Sequence, residues 1–463
     1  MKTRRSRAIA HLLASRSLAP RAVAVLLAMI VISGGALRGV AAAQPDKAYV
    51  SQDASAYAKL GTSLAGGHYT QGPANADDLR WPPGAPFFFA AAALLTPSSP
   101  AAGEPTDLPA AYWLQAIVST VTLALVFVLA ALLAGPVAGL VASALVAFYP
   151  PLIAINGSLM SETLGAFLAT SAILFIVLAL RARSWRFMAL AGVAFGLLVL
   201  TRTDFLFAIA AIAIAIALLA RRQGRGAGLR QAGAFAAAAA LVIAPWTIYA
   251  SGRQGRLVPV TTGSGPVLFT GTYLPGDGTT VGLKKAFEPE LRKRHPEFRT
   301  TKIHKIPAKY VMSLVASRHP ELSRDGALQL EGRRNLVEYG LGDPIDFAAM
   351  TLSKVERMWG KYYRGGGVHY ISAVTRSYQW LLVALAVCGL VALLARRRFT
   401  GPFAVLFGLA LYSTLLHAVV VSQARYNLPL MPMLVAGGVA ALAIAAAGSD
   451  PARERSAAAG RHA

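Results

Sequence analysis

The sequence predicts an all-α polytopic membrane protein of about ten transmembrane helices. It adds a first outer loop and a mixed outer-face loop domain. Three observations carry this. Of the 463 residues, 55% are hydrophobic and only 14% are charged, where a soluble chain carries about a quarter charged residues. Apolar runs of about 20 residues, the length that crosses a bilayer core, follow one another along the chain. Arginine and lysine cluster in the short segments between those runs.

The spans are read near 21–43, 111–134, 136–155, 161–181, 187–201, 204–220, 231–250, 377–395, 401–421 and 427–447. The N-terminal "MKTRRSR", the apolar "AVAVLLAMIVISGGAL" and the small-residue "AAAQ" resemble a signal peptide. The apolar segments that follow favour an uncleaved first helix. With the N-terminus placed in the cytoplasm, the short inside segments hold 19 Lys and Arg. The short outside ones hold 5, namely Lys47, Lys59, Arg80, Arg202 and Arg425. That asymmetry follows the positive-inside rule and supports ten spans with both ends inside. It requires that "PFFFAAAALL" (86–95) not cross. At about ten residues the run is too short for a core roughly 30 Å thick, so it belongs at the outer interface or in a re-entrant segment.

The chain therefore divides into a basic cytoplasmic N-terminus (1–21), a membrane core (22–250) with outer loop 44–110, a large outer-face domain (251–376), C-terminal spans (377–447) and a cytoplasmic tail (448–463). The aromatic "MWGKYYRGGGVHYISAVTRSYQW" before the eighth span reads as an interface belt. A net charge of +24 sits mostly where it orients helices, so it does not imply nucleic acid. The lone Cys388 allows no internal disulfide, and the eight histidines have no zinc spacing. Walker and dinucleotide glycine motifs do not occur. No repeat relates the two halves, which speaks against an inverted-repeat transporter.

Ionisable residues in a membrane chain are costly, so their depth is informative. Asp53, Arg80, Glu162, Arg202, Asp204 and Arg425 all fall at one side, at the ends of spans. That placement suits chemistry where a lipid head group meets water. Each has a plainer reading. Asp53 opens a small-residue helix in "VSQDASAYAKLGTSLAGGHY" and would serve as its cap. Glu162 could solvate a helix end, Arg202 could pair with Asp204, and Arg425 could anchor at the interface.

The order of motifs resembles the GT-C class of membrane glycosyltransferases, of the protein O-mannosyltransferase and aminoarabinose-transferase type (glycosyltransferase family 39-like). "QDASAYAKLGTSLAGGHY", "RWPPGAPFFFA", "FYPPLIAINGSLMSETL", "LVLTRTDFL", "IAPWTIYASGRQGRLVPVTTGSG" and "ARYNLPLMPML" follow in the family's order, over about residues 22–447. The region 270–370 matches least. The resemblance implies inverting transfer of a sugar from a polyprenyl phosphate to a hydroxyl on a lipid, glycan or protein at the extracytoplasmic face of the cell membrane. Asp53 then matches the family's base and Glu162 its second acidic position. Arg202, Arg425 and Arg80 would hold the leaving phosphate. Tyr57, one turn after Asp53, and Tyr426 would position these groups. A second acid beside Asp53, present in many relatives, is missing here. That disfavours a divalent metal without excluding it, and no other cofactor is implied. The rival readings are a transporter without catalysis and a ligase or polymerase of longer glycans.

Overall fold

The computed structural model describes residues 18–45, 51–70, 78–95, 108–221, 224–362 and 372–447. The basic N-terminus up to residue 17, Lys47, the tail after 447 and residues 363–371 of the aromatic belt lie outside them.

The bundle begins with α1 (Pro20–Ala43). Then α2 (Gln52–Ala65) and α3 (Gly84–Leu94) pack against each other. The spans continue with α4 (Pro109–Ala134), α5 (Pro136–Ala147) with the short α6 (Pro150–Ala154), α7 (Glu162–Ala182), α8 (Trp185–Thr201), α9 (Ala208–Ala220) and α10 (Arg225–Gln254). The region expected to be outer runs through α11 (Ser264–Thr272), α12 (Thr280–Ala286), α13 (Glu288–Arg294), α14 (Lys309–Ala316), α15 (Arg324–Gly342) and α16 (Pro344–Gly360). The last spans are α17 (Ser372–Ala395), α18 (Gly401–Val419) and α19 (Met431–Ala447).

A helix stands at each of the ten predicted spans. Among the described residues seven are long and apolar enough to cross a membrane, and the α5–α6 pair, bent by 62°, reaches that length only when its two pieces are taken as one broken span. The other two, α8 and α19, have 17 residues each, about 26 Å of helix at 1.5 Å per residue. The run at 86–95 forms α3, of 11 residues, which at about 16 Å is too short to span. Among the described residues no strand occurs, so the outer region expected as mixed is built of helices and turns. It has its own apolar core, with Phe269, Leu283, Phe287, Leu291, Val311 and Leu328 among its members.

Two local devices shape the bundle. The first is a proline break. Pro150 and Pro151 have no N–H, so the carbonyls of Val146 and Ala147, four residues earlier, lose their helical donors. The buried Arg38 of α1 supplies replacements, at 3.2 Å to Val146 O and 3.0 Å to Ala147 O. It also bonds Gly34 O at 2.9 Å and the Ser119 hydroxyl at 2.7 Å. In a bilayer no water can take that role. The second is close approach. Gly192 and Gly196 of α8 stand one turn apart and let α10 lie against them, since a Cβ at either would crowd the carbonyls of Phe235 and Ala239.

Replacing Arg38 by alanine is expected to lower stability by roughly 2 kcal/mol or more, because buried acceptors at the break lose their donors. Thermal unfolding in detergent measures this; an unchanged midpoint would show that the break needs no external donor.

Candidate active site

The site forms where four chain segments meet at one end of the bundle. Ser51 caps α2, its hydroxyl accepting from the Ala54 N–H at 3.1 Å. The cap position expected of Asp53 is thus taken, and its carboxylate is free to face inward. Glu162 opens α7, where the helix dipole favours its charge. Arg202 follows the last turn of α8, in an extended residue between α8 and the turn at Thr203–Phe205. Arg425 lies in the turn Ala424–Asn427 that joins α18 to α19.

Close packing places these segments. A Cβ at Gly84 would overlap Thr201, so the "RWPPG" segment can rest on the end of α8 beside Arg202. A Cβ at Gly271 would overlap the Val420–Val421 peptide, so α11 can lie against the strand-like approach to Arg425. There Val421 N–H donates to Val267 O at 3.2 Å. Lys354 of α16, fully buried, donates to Gly271 O at 2.8 Å and Val419 O at 3.0 Å. Burial lowers its pKa to about 8.

The charged side chains form an alternating ladder. Arg425 pairs with Asp53 Oδ2 through Nη2, and its Nε stands 3.7 Å from Glu162 Oε1. Arg202 reaches the same Glu162 oxygen at 3.3 Å and Asp204 Oδ2 at 3.2 Å. Trp81 Nε1 donates to Asp53 Oδ1 at 3.2 Å. The Tyr426 ring sits between both guanidiniums, 5.3 Å from Arg202 and 5.7 Å from Arg425. Tyr57 is buried one turn after Asp53 and lines the same cleft. Arg80 stands at the rim, its guanidinium 5.3 Å over the Trp81 ring. All seven residues given a role by the resemblance, with Asp204, therefore meet in one cleft. It has a volume of about 1490 Å³.

Burial opposes ionisation of Asp53. The Arg425 charge and hydrogen bond, the Trp81 N–H and the Arg80 charge outweigh it, and its carboxyl titrates below the ordinary aspartate value. Glu162 is 1% exposed. Its Oε2 and the Arg202 Nε are buried and lack a hydrogen-bond partner. Among the described residues these two atoms of the ladder leave one acceptor and one donor unfilled beside the cleft, the needs of a hydroxyl and of an anionic oxygen.

Sequence reasoning missed Trp81 and His417. The first lay within a quoted motif but has no charge. The second is a buried polar residue in the apolar "TLLHAVVV", and that cost was a usable signal. Among the described residues no cluster of three His, Cys, Asp or Glu is arranged to hold a metal ion.

Comparison with known proteins places the architecture. Residues 82–249 match the family model described as dolichyl-phosphate-mannose-protein mannosyltransferase. That stretch contains Glu162 and Arg202; Asp53 and Arg425 lie outside it. The archaeal oligosaccharyltransferase AglB from Archaeoglobus fulgidus, in complex with an inhibitory peptide and a dolichol-phosphate, superposes with a TM-score of 0.53 at 15% identity, covering 91% of this chain and 50% of that one. The chain shares the membrane fold of that oligosaccharyltransferase. The A. fulgidus enzyme in complex with Zn and sulfate gives 0.51 at 16% identity, over 90% of this chain and 49% of that one. ArnT from Cupriavidus metallidurans bound to undecaprenyl phosphate gives 0.42 at 16%, over 93% and 78%. The chain spans about half the length of the oligosaccharyltransferase. No curated protein matches it in sequence.

The ladder sets a pH dependence. A carboxyl with a lowered pKa adds stability that is complete above its unfolded value, about 3.9, and is lost as pH falls through the lower folded value. Wild-type protein should lose this contribution on acidification below that point. Arg425→Gln should lack that drop, because burial of Asp53 is then less opposed. Thermal unfolding of both proteins across the acid range reads the difference, and identical acid-side curves would refute the pairing.

Proposed function

We propose that the chain is a GT-C glycosyltransferase that moves a sugar from a polyprenyl-phosphate carrier to an acceptor hydroxyl at the extracytoplasmic face. The observation that carries this is the ladder itself. It sets a carboxylate beside two guanidiniums at the membrane-surface end of a fold whose core matches a dolichyl-phosphate-mannose-dependent family. The dolichol-phosphate in the AglB complex supports a lipid phosphate as ligand. The charge asymmetry of the loops supports the extracytoplasmic side.

The chemistry follows from the geometry. The acceptor oxygen attacks the anomeric carbon while Asp53 takes its proton. The bond from that carbon to the phosphate oxygen breaks on the opposite face, so the anomeric centre inverts. The polyprenyl phosphate leaves with the charge that Arg202 and Arg425 meet, and guanidinium suits phosphate through its paired donors. Arg80 adds positive charge at the rim. Glu162 Oε2 accepts a hydrogen bond from the sugar or acceptor, Tyr57 backs Asp53, and Tyr426 spaces the two arginines.

The Asp53–Arg425 pair has a consequence for the order of events. A carboxylate held by a guanidinium is a weak base. A donor phosphate that draws Arg425 to itself leaves Asp53 more basic, so donor binding prepares the base before the acceptor reacts. A transporter would not need this coupling.

Purified protein offered a panel of polyprenyl-phosphate sugars, with donor consumption read by mass spectrometry, is expected to consume one of them. Asp53→Asn should cut turnover by about 10²–10⁴-fold, the usual worth of a positioned base, while donor binding persists. Full activity in that variant would sink the base assignment. Arg202→Ala should weaken donor use at an unchanged level of insertion; unaltered donor dependence would remove it from the phosphate site.

A further inference from the structure

The ladder does not end at Arg202. His417 lies near the end of α18, buried and lining the same cleft. Its Nδ1 is 2.8 Å from the Ser413 carbonyl, which can only accept, so Nδ1 carries a proton. Its Nε2 faces Asp204 Oδ2 at 3.7 Å, and its ring centroid is 4.7 Å from that of Tyr426. In the neutral ring Nε2 offers a lone pair to a carboxylate. In the imidazolium it offers a proton.

The charged groups acting on the ring are Asp204 and Arg202 from the α8–α9 turn, with the Ser413 hydroxyl 3.4 Å from Nδ1; Glu162 of α7 lies behind Arg202, and Lys354 of α16 bonds Val419 O two residues along. Tyr426 and Tyr412, the latter bonded to Asp204 O at 2.7 Å, are the nearby phenols. The connected network of Asp53, Glu162 and Asp204 sets three carboxylates against the two guanidiniums of Arg202 and Arg425. Arg80, whose charge also acts on Asp53, brings the count to three guanidiniums, and Asp204 is shared between Arg202 at 3.2 Å and the His417 ring at 3.7 Å, so a charge on the ring competes with Arg202 for one oxygen. A proton on His417 adds one positive charge to the cleft, which a singly charged phosphate balances.

Resting on the proposed donor chemistry, we infer that His417 is a positioning residue for the donor phosphate, and that the site takes up a proton on Nε2 when a singly charged phosphodiester binds. The imidazolium then holds Asp204. That releases the Arg202 Nη2 from its carboxylate, and Nη2 joins the unpartnered Nε in donating to the phosphate. His417 touches neither sugar nor phosphate; it acts through Asp204.

The test uses full-length protein in detergent and farnesyl methyl phosphate, a phosphodiester whose charge stays constant over the range where histidine titrates. Affinity is measured across about pH 5 to 8. Proton uptake is read by calorimetry in buffers of different ionisation enthalpy. Wild-type affinity should fall by about tenfold per pH unit once the ring is deprotonated, with up to one proton taken up per ligand. His417→Gln keeps an N–H for the Ser413 carbonyl and should bind with a flat pH profile and no uptake. A flat profile in the wild type, or an unchanged slope in His417→Gln, overturns the role of His417 while leaving the donor reading in place. No binding of the phosphodiester at any pH overturns both. Where that variant fails to fold, His417→Asn takes its place, and a flat wild-type profile overturns the role without any variant.

Discussion

The pairing of Asp53 with Arg425 is the constraint on which the site depends. The two residues are far apart in the chain, one on the helix after the first span and one before the last. Their ion pair closes the bundle at one end. Each would be expensive alone in a low-dielectric setting, and together they hold each other ionised. Glu162 extends the pairing to Arg202, and Asp204 extends it again. The result is a line of alternating charge with one donor and one acceptor left over. Those two vacancies are where a ligand gains most, since satisfying a buried group recovers its desolvation cost.

The outer region does more than cover this line. Its α11 and α16 fix the approach to Arg425 through Gly271, Val267 and Lys354, and the Ser422 hydroxyl donates to Lys354 O at 2.9 Å. Changes of conformation in the outer region would thus reach Arg425 directly, and through it Asp53. This links the part of the chain that matches the family least to the charged ladder, and under the proposed function gives a physical route by which docking there would influence the site.

Much of this was legible in the sequence, for reasons that differ by feature. The spans follow from apolar length, and α3 from an apolar run too short to cross. The side on which Asp53, Glu162, Arg202 and Arg425 gather follows from alternating spans. What was not legible is who pairs with whom. Span order puts Glu162 and Arg202 at one end but cannot tell that they share an oxygen contact, because that depends on Gly84 and Gly165 letting segments approach. The helical make-up of the outer region was not foreseen, since its short amphipathic helices carry no long apolar period. The Ser51 cap was overlooked because Asp53 is as good a cap by residue type. Arg38 was overlooked because a lone arginine inside an apolar run gives no hint that a proline break elsewhere needs its donors.

The account rests on a lipid phosphate meeting the guanidiniums of this ladder. The most direct measurement is a cryo-electron microscopy structure of the protein with a bound polyprenyl phosphate. The phosphate is predicted within hydrogen-bond reach of Arg202 and Arg425, with Arg425 drawn away from Asp53. A phosphate bound elsewhere, with the Asp53–Arg425 pair intact, would contradict it.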